Sequence, residues 1–219
     1  ILRASWLRGV SALPNSFAHE SYVDELAAAA GADPLAYRLR MLDDPRAAEL
    51  LQATADKAGW QPHSAPQGQG ADPADPAWLR GQGLAYARYV HSKFPGFGAA
   101  WSAWVADVRV HAVTGEVHVS RVVVGQDAGL MVNPRGVLQQ VHGNVLQTTS
   151  RALKEQVRVD TATGTVATRE WGSYPILSFR EVPVVEVLPM VPSVPELPVV
   201  VAPVVEPVLV PVVEPVPEG

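Results

Sequence analysis

The residues of this chain best suited to chemistry carry amides rather than charges. From 122 to 150 the sequence reads "VVVGQDAGLMVNPRGVLQQVHGNVLQTTS": a β-branched run, a loop holding Gln126, Asp127 and Gly129, an Asn133-Pro134 step, then a helical period. On that helix Gln140, Gly143, Asn144, Gln147 and Arg151 recur at helical spacing, while Val137, Val141, Val145, Ala152 and Leu153 fall on the other side. A side-chain amide both donates and accepts hydrogen bonds, so such a stripe suits a heterocycle with alternating donors and acceptors. Gly125, Gly129 and Gly143 would let backbone approach a ligand. The same spacing also describes a solvated helix face, since Arg151 and Lys154 share that side, and spacing alone does not choose between the two.

Other polar residues have plainer readings. Glu20, Asp24 and Glu25 lie on one early helix, where solvent exposure or ion pairing with Arg38 or Arg40 is expected rather than acid–base catalysis. Asp127 and Asn133 suit loop positions that cap backbone amides. His142 reads as an ordinary hydrogen-bonded helix residue, and histidines 19, 63, 91, 111 and 118 show no metal-ligand spacing. The absence of cysteine excludes disulfides, thiolate catalysis, Fe–S ligation and covalent haem attachment on this chain. A net charge of −5 without a Lys/Arg cluster offers nothing to a nucleic acid or an anionic membrane, and no segment calls for membrane insertion. No secretory signal opens "ILRASWLRGV", which leaves cytoplasm and periplasm both open.

These residues need elements to hold them, and the text divides into four parts. Residues 1–60 read as helices: one behind Asn15 or Ser16 and stopped at Gly31, one opening at Pro34 behind Asp33, and one over "PRAAELLQATADKAGW". Residues 61–79 form a Pro/Gly-rich linker or loop. Residues 80–189 hold strands over "GQGLAYARYVHS", "SAWVADVRVHAV" and "EVHVSRVVVGQD", the amide helix from Pro134, a second hairpin around Thr163-Gly164, and a last strand in "PVVEVLPM". Residues 190–219 repeat Val, Pro and Glu without a period and are expected to be disordered. The fold class is α+β: N-terminal helices packed with an antiparallel or mixed sheet.

The stretch "RVVVGQDAGLMVNPRGVLQQVHGNVLQ", with "RGVSALPNSFAHESYVDELAAAAGADPLAYRLRML" upstream, resembles the molybdopterin-binding large subunit of the xanthine dehydrogenase and aldehyde oxidase family. Within it, Trp6 to Pro183, including "YARYVHSKFPGFGAAW" and "TREWGSYPILSF", is similar to nicotinate dehydrogenase and isoquinoline 1-oxidoreductase type subunits. The resemblance implies a bacterial hydroxylase that places water-derived oxygen on an electron-poor carbon of an N-heteroaromatic compound. It implies molybdenum-molybdopterin as cofactor, in the cytosine dinucleotide form, and electrons leaving to Fe–S clusters on a small partner subunit. The helix then becomes the molybdopterin-side helix.

Arg8 sits where the family has an arginine at the substrate and cofactor cavity, and a guanidinium fork suits a carboxylate or a developing oxyanion. Gln126, Asp127, Gly129 and Asn133 match the family's loop, and Gln140, Gly143 and Gln147 match its following helix; none is a metal ligand. Departures accompany the matches. Val10 stands where many relatives place an aromatic, and His142 replaces a glutamate. The family's catalytic glutamate follows a glycine, whereas Glu196, Glu206, Glu214 and Glu218 follow Pro or Val. The N-terminal half of the family's large subunit has no counterpart here. The expected role is therefore a C-terminal-half module that is inactive when isolated. The alternative is a catalytically dead remnant or artificial derivative acting at most as a binding or structural module.

Overall fold

A computed structural model describes residues 7–65, 68–90 and 98–190. The Val/Pro/Glu tail beyond Met190, and His91 with it, lie outside the described residues.

Three helices come first. α1 (Ala12–Ala29) begins earlier than the Asn15 or Ser16 cap expected from sequence, with Ser11 in the capping position making no side-chain cap bond. The physical reason is Pro14, whose missing N–H falls among first-turn donors that have no helical partner in any case. α2 (Pro34–Met41) starts as expected, the Asp33 carboxylate accepting from the Ala36 N–H at 3.0 Å. α3 (Pro45–Ala58) is capped by Asp44, which accepts from Arg46 N–H at 3.1 Å, and stops at Gly59 in the left-handed region at φ 71°.

A five-stranded mixed sheet follows: β1 (Gly70–Ala71), β2 (Trp78–Val90), β3 (Ala99–His111), β4 (Val117–Asp127) and β7 (Val184–Pro189), in that spatial order. The stretch 61–79, read as a linker or loop, thus supplies an edge strand and the first residues of β2. β2, β3 and β4 form an antiparallel meander, and β7 adds in parallel to β4. The crossover between β4 and β7 contains α4 (Pro134–Leu153) and a small hairpin of β5 (Val159–Asp160) and β6 (Thr165–Val166).

Strand alternation divides the core in two. Val123, with Ala103 and Val105 of β3, packs beneath Leu50, Leu51 and Ala55 of α3. Val122 and Val124 face the other way and pack against Val141 and Val145 of α4. Gly125 shares the α3 face, and a Cβ there would lie 1.9 Å from Thr54 Oγ1 and 2.9 Å from Leu50 Cδ1. α3 can rest this low on the sheet only over a residue with no side chain. The last turn of α4 departs from the expected apolar side: Ala152 and Leu153 are exposed, and Thr149 and Ser150 are buried instead. The chain returning toward β7 crosses there, with Leu177 N–H donating to Ser150 Oγ at 3.0 Å.

α1 and α2 are tied to the sheet through charge. Glu20, buried on α1, accepts from Arg38 Nε at 2.9 Å and from the Tyr86 N–H of β2 at 2.7 Å, while Arg38 Nη1 donates to Asp24 at 2.6 Å. Glu20 and Asp24 pair with Arg38, while Glu25 is exposed.

Candidate molybdopterin-facing surface

The turn before α1 brings Arg8 to α4 across 132 positions of sequence. Its Nη2 donates to both the main-chain and side-chain carbonyl oxygens of Gln140, at 3.1 and 2.8 Å. Arg151, further along the same helix face, donates to the Arg8 carbonyl at 2.9 Å and so holds the turn's backbone. A Cβ on Gly143 would stand 3.1 Å from Arg8 Nη1. Gly143, expected to admit a ligand, therefore gives the guanidinium its seat. The turn itself needs unusual backbone: Gly9 has φ 90° and Val10 φ 46°. A β-branched residue in the left-handed region is strained, and such positions cluster where a loop presents a functional group.

Two donors on Arg8, Nε and Nη1, make no hydrogen bond among the described residues, and the side chain is exposed. Along the stripe, Asn144 and Gln147 are half-buried and their side-chain amides likewise make no hydrogen bond among the described residues. Structure thus brings Arg8, Gln140, Gly143 and Gln147 onto one surface. Unspent guanidinium and amide donors suit the oxygens and ring nitrogens of a phosphorylated pterin, so the donor set fits that group.

The preceding loop plays another part. Asp127 lies on the α3 side of the sheet, its two oxygens held by Arg46 Nε and Nη2. Its Oδ1 also accepts from the Gly129 N–H at 2.9 Å, where the chain turns at φ 72°. Burial works to raise the Asp127 carboxyl, but the Arg46 guanidinium and the Gly129 N–H outweigh it and hold the pKa below its ordinary value. Asn133 caps α4 by accepting from Gly136 N–H at 2.9 Å. Gln126 is half-buried, alternation turns its side chain toward the α4 face, and its carbonyl accepts from Met190 N–H at 2.8 Å. Arg46 had no sequence signal as a site-supporting residue, because its partner lies 81 positions away.

Glu20 and Glu181 are both committed to partners. Glu20 is enclosed by Arg38 and the Tyr86 N–H. Glu181 is paired with Lys154 and bonded to the Ser178 hydroxyl and N–H, and these contacts lower its pKa to about 2. A group that weak cannot take a proton efficiently near neutral pH. Two open clefts, of about 270 and 320 Å3, lie against α1 and α2, and no α4 residue lines either. Arg8 and Gln140 are exposed, so this end of the stripe is open surface. Among the described residues no group of three or more His, Asp or Glu is placed to hold a metal ion, and no helix is long and apolar enough to cross a membrane.

This surface has known relatives. The molybdopterin cofactor-binding domain family matches residues 20–183, and the chain belongs to that family, the cofactor-binding part of molybdenum hydroxylases. It is 62% identical over 198 residues to a subunit of nicotinate dehydrogenase from Pseudomonas putida, covering 90% of this chain and 16% of that protein. It is 32% identical over 183 residues to the beta subunit of isoquinoline 1-oxidoreductase from Brevundimonas diminuta, covering 83% of this chain and 21% of that protein. Among solved structures, quinoline 2-oxidoreductase from Pseudomonas putida 86 is similar at a TM-score of 0.40 and 27% identity, over 42% of this chain and 12% of that one. Family membership rests on the family match and the sequence relatives, of whose length this chain spans about a fifth or less.

Proposed function

We propose that this chain supplies one wall of the active site of a molybdenum hydroxylase acting on nicotinate-like N-heteroaromatic compounds. The observation that carries the reading is the seated Arg8, whose Nε and Nη1, like the side-chain amides of Asn144 and Gln147 beside it, make no hydrogen bond among the described residues. The 62% identical relative, which belongs to a nicotinate dehydrogenase, favours a ring bearing a carboxylate. When bound, molybdenum-molybdopterin, in its cytosine dinucleotide form, supplies the oxidation of a ring carbon: water provides the oxygen, and two electrons and two protons are released. Gln140, Gly143 and Gln147 line the cofactor side, with Gln126 behind them. Arg8 binds and orients, its guanidinium offering charge and its remaining N–H donors to a carboxylate while Gln140 and Arg151 keep it from swinging away. An Fe–S subunit takes the electrons, and the opposite wall comes from another part of the large subunit. Glu20 and Glu181 are committed elsewhere, so the base is the glutamate of the family's Gly-Glu loop, supplied by another segment, and the isolated chain is accordingly inactive.

The test is Arg8→Lys in the assembled enzyme, with nicotinate and with uncharged isoquinoline as substrates. A lysine ammonium cannot both hold the Gln140 contacts and reach a substrate carboxylate, so kcat/KM for nicotinate should fall by about 1.5–3 kcal/mol in transition-state stabilisation, the loss of a charge-assisted contact, and that for isoquinoline by much less. Equal losses would assign Arg8 to the cofactor or the fold and overturn its role toward the carboxylate.

A further inference from the structure

Arg46 is held at both its backbone and its side chain. Its backbone N–H is the donor that Asp44 caps, its guanidinium lies 4.2 Å above the centroid of the Trp101 ring, and the Trp101 indole N–H donates back to Asp44 at 2.9 Å. Arg88 approaches the same ring at 5.3 Å. Locked in this way, the Arg46 fork meets both oxygens of Asp127, whose side chain is 3% exposed against 37% for Arg46. Asp127 in turn is the last residue of β4 and fixes the Gly129 N–H, from which the chain runs through Asn133 into α4.

We propose that Arg46 is a positioning residue for the cofactor-side helix: through Asp127 it fixes the turn at Gly129, and thereby the start of α4 that carries Gln140, Gly143 and Gln147. The inference rests on the reading of α4 as the cofactor wall. Its physical basis is that a two-pronged contact determines direction as well as distance, which a single charge does not. Without Arg46, Asp127 is a buried carboxylate with one backbone donor, and it regains solvation by turning outward and releasing the Gly129 N–H. The loop at 128–133 then samples several paths into α4, and a small displacement of a positioning group is enough to lower catalysis by orders of magnitude.

The experiment uses the assembled enzyme and reads two quantities for Arg46→Met, Arg46→Lys, Asp127→Asn and the Arg46→Met/Asp127→Asn pair. The first is amide hydrogen exchange over 129–136, with 48–58 of α3 and 99–105 of β3 as internal controls. The second is the amount of pterin retained per chain after gel filtration. Arg46→Met should speed exchange over 129–136 by about tenfold or more, the loss of one charge-assisted contact, and leave the controls unchanged. Pterin retention should drop with it. The paired variant should be no worse than either single change, because both remove the same contact. Where Arg46→Met yields no folded protein, Arg46→Lys, which keeps the charge and loses the fork, is judged by the same two readings. Exchange that rises equally in α3 and β3, or does not rise over 129–136, overturns the proposal. A loosened loop with retention unchanged also overturns it, by confining Arg46 to the fold. An unsubstituted assembly that binds no pterin would instead defeat the cofactor reading itself, and the exchange pattern would still report on the clamp.

Discussion

On the α3 side of the sheet, Leu50, Leu51 and Ala55 have no exposed surface, Thr54 bonds back to the Leu50 carbonyl at 2.7 Å, and Gly125 lets the helix settle against strand backbone. On the α4 side, Val141 and Val145 anchor the middle of a 20-residue helix, and against its outward stripe sits Arg8, on a strained turn and with donors that make no hydrogen bond among the described residues. The two faces share β4 residue by residue, yet one is closed and the other is left to be completed. A site needs both properties: its wall must present polar groups that the protein does not itself satisfy, and something behind the wall must keep those groups from relaxing. Arg46, reaching from α3 to the end of β4, is where the closed face acts on the open one.

The sharpest way to break this contrast is to put a side chain where each face has a glycine. Gly125→Ala must displace Thr54 or Leu50, and overpacking of this kind costs about 1–3 kcal/mol, more where backbone cannot yield. A lowered urea midpoint would show it. Gly143→Ala should do the reverse for stability, adding up to about 1 kcal/mol from helix propensity, because only the Arg8 guanidinium stands in the way. The same change should weaken nicotinate turnover by pushing Arg8 off its seat. If Gly143→Ala is destabilising and Gly125→Ala neutral, the assignment of closed and open faces is reversed.

Some of this was legible in the sequence and some was not. Two caps were: Asp33 and Asn133 are local signals, and each does locally what its type dictates. The start of α1 was not, because a proline in a first turn looks like a break until the turn before it is seen. Nor was β1, a two-residue edge strand with no period of its own. The amide stripe shows in the sequence as one side of a helix, but spacing could not say that Gln140, Gly143 and Arg151 dock Arg8, since contact across 132 positions leaves no local trace. The Arg46–Asp127 pair was invisible for the same reason.

A smaller effect sharpens the comparison at the far end of α4. Lys154 in the helix cap and the Ser178 hydroxyl and N–H lower the Glu181 pKa from 4.5 to about 2. A carboxylate with a depressed folded pKa contributes stability that is complete above its unfolded value and is lost as pH falls through its folded value. The Lys154–Glu181 tie should therefore persist at pH 4.5 and fail only as pH approaches 2, which a carboxyl-carbon NMR titration would follow. Glu181 keeps about a third of its side chain in water, which screens the pair, so Glu181→Gln should shift the acid-unfolding midpoint only slightly. Asp127 follows the same sign, with stability lost as pH falls below 3.8. There the loop at 129–136 should loosen before α3 does.

The central claim is that the face of α4 beneath Arg8 is the cofactor wall. Amide exchange of the assembled large subunit, compared between its pterin-loaded and pterin-free forms, tests it most directly. The account predicts protection on loading over 8–10 and 136–147, with no change over 45–58 of α3. Protection confined instead to the cleft at Asp24, Trp60 and His63, with 136–147 unaffected, would contradict it.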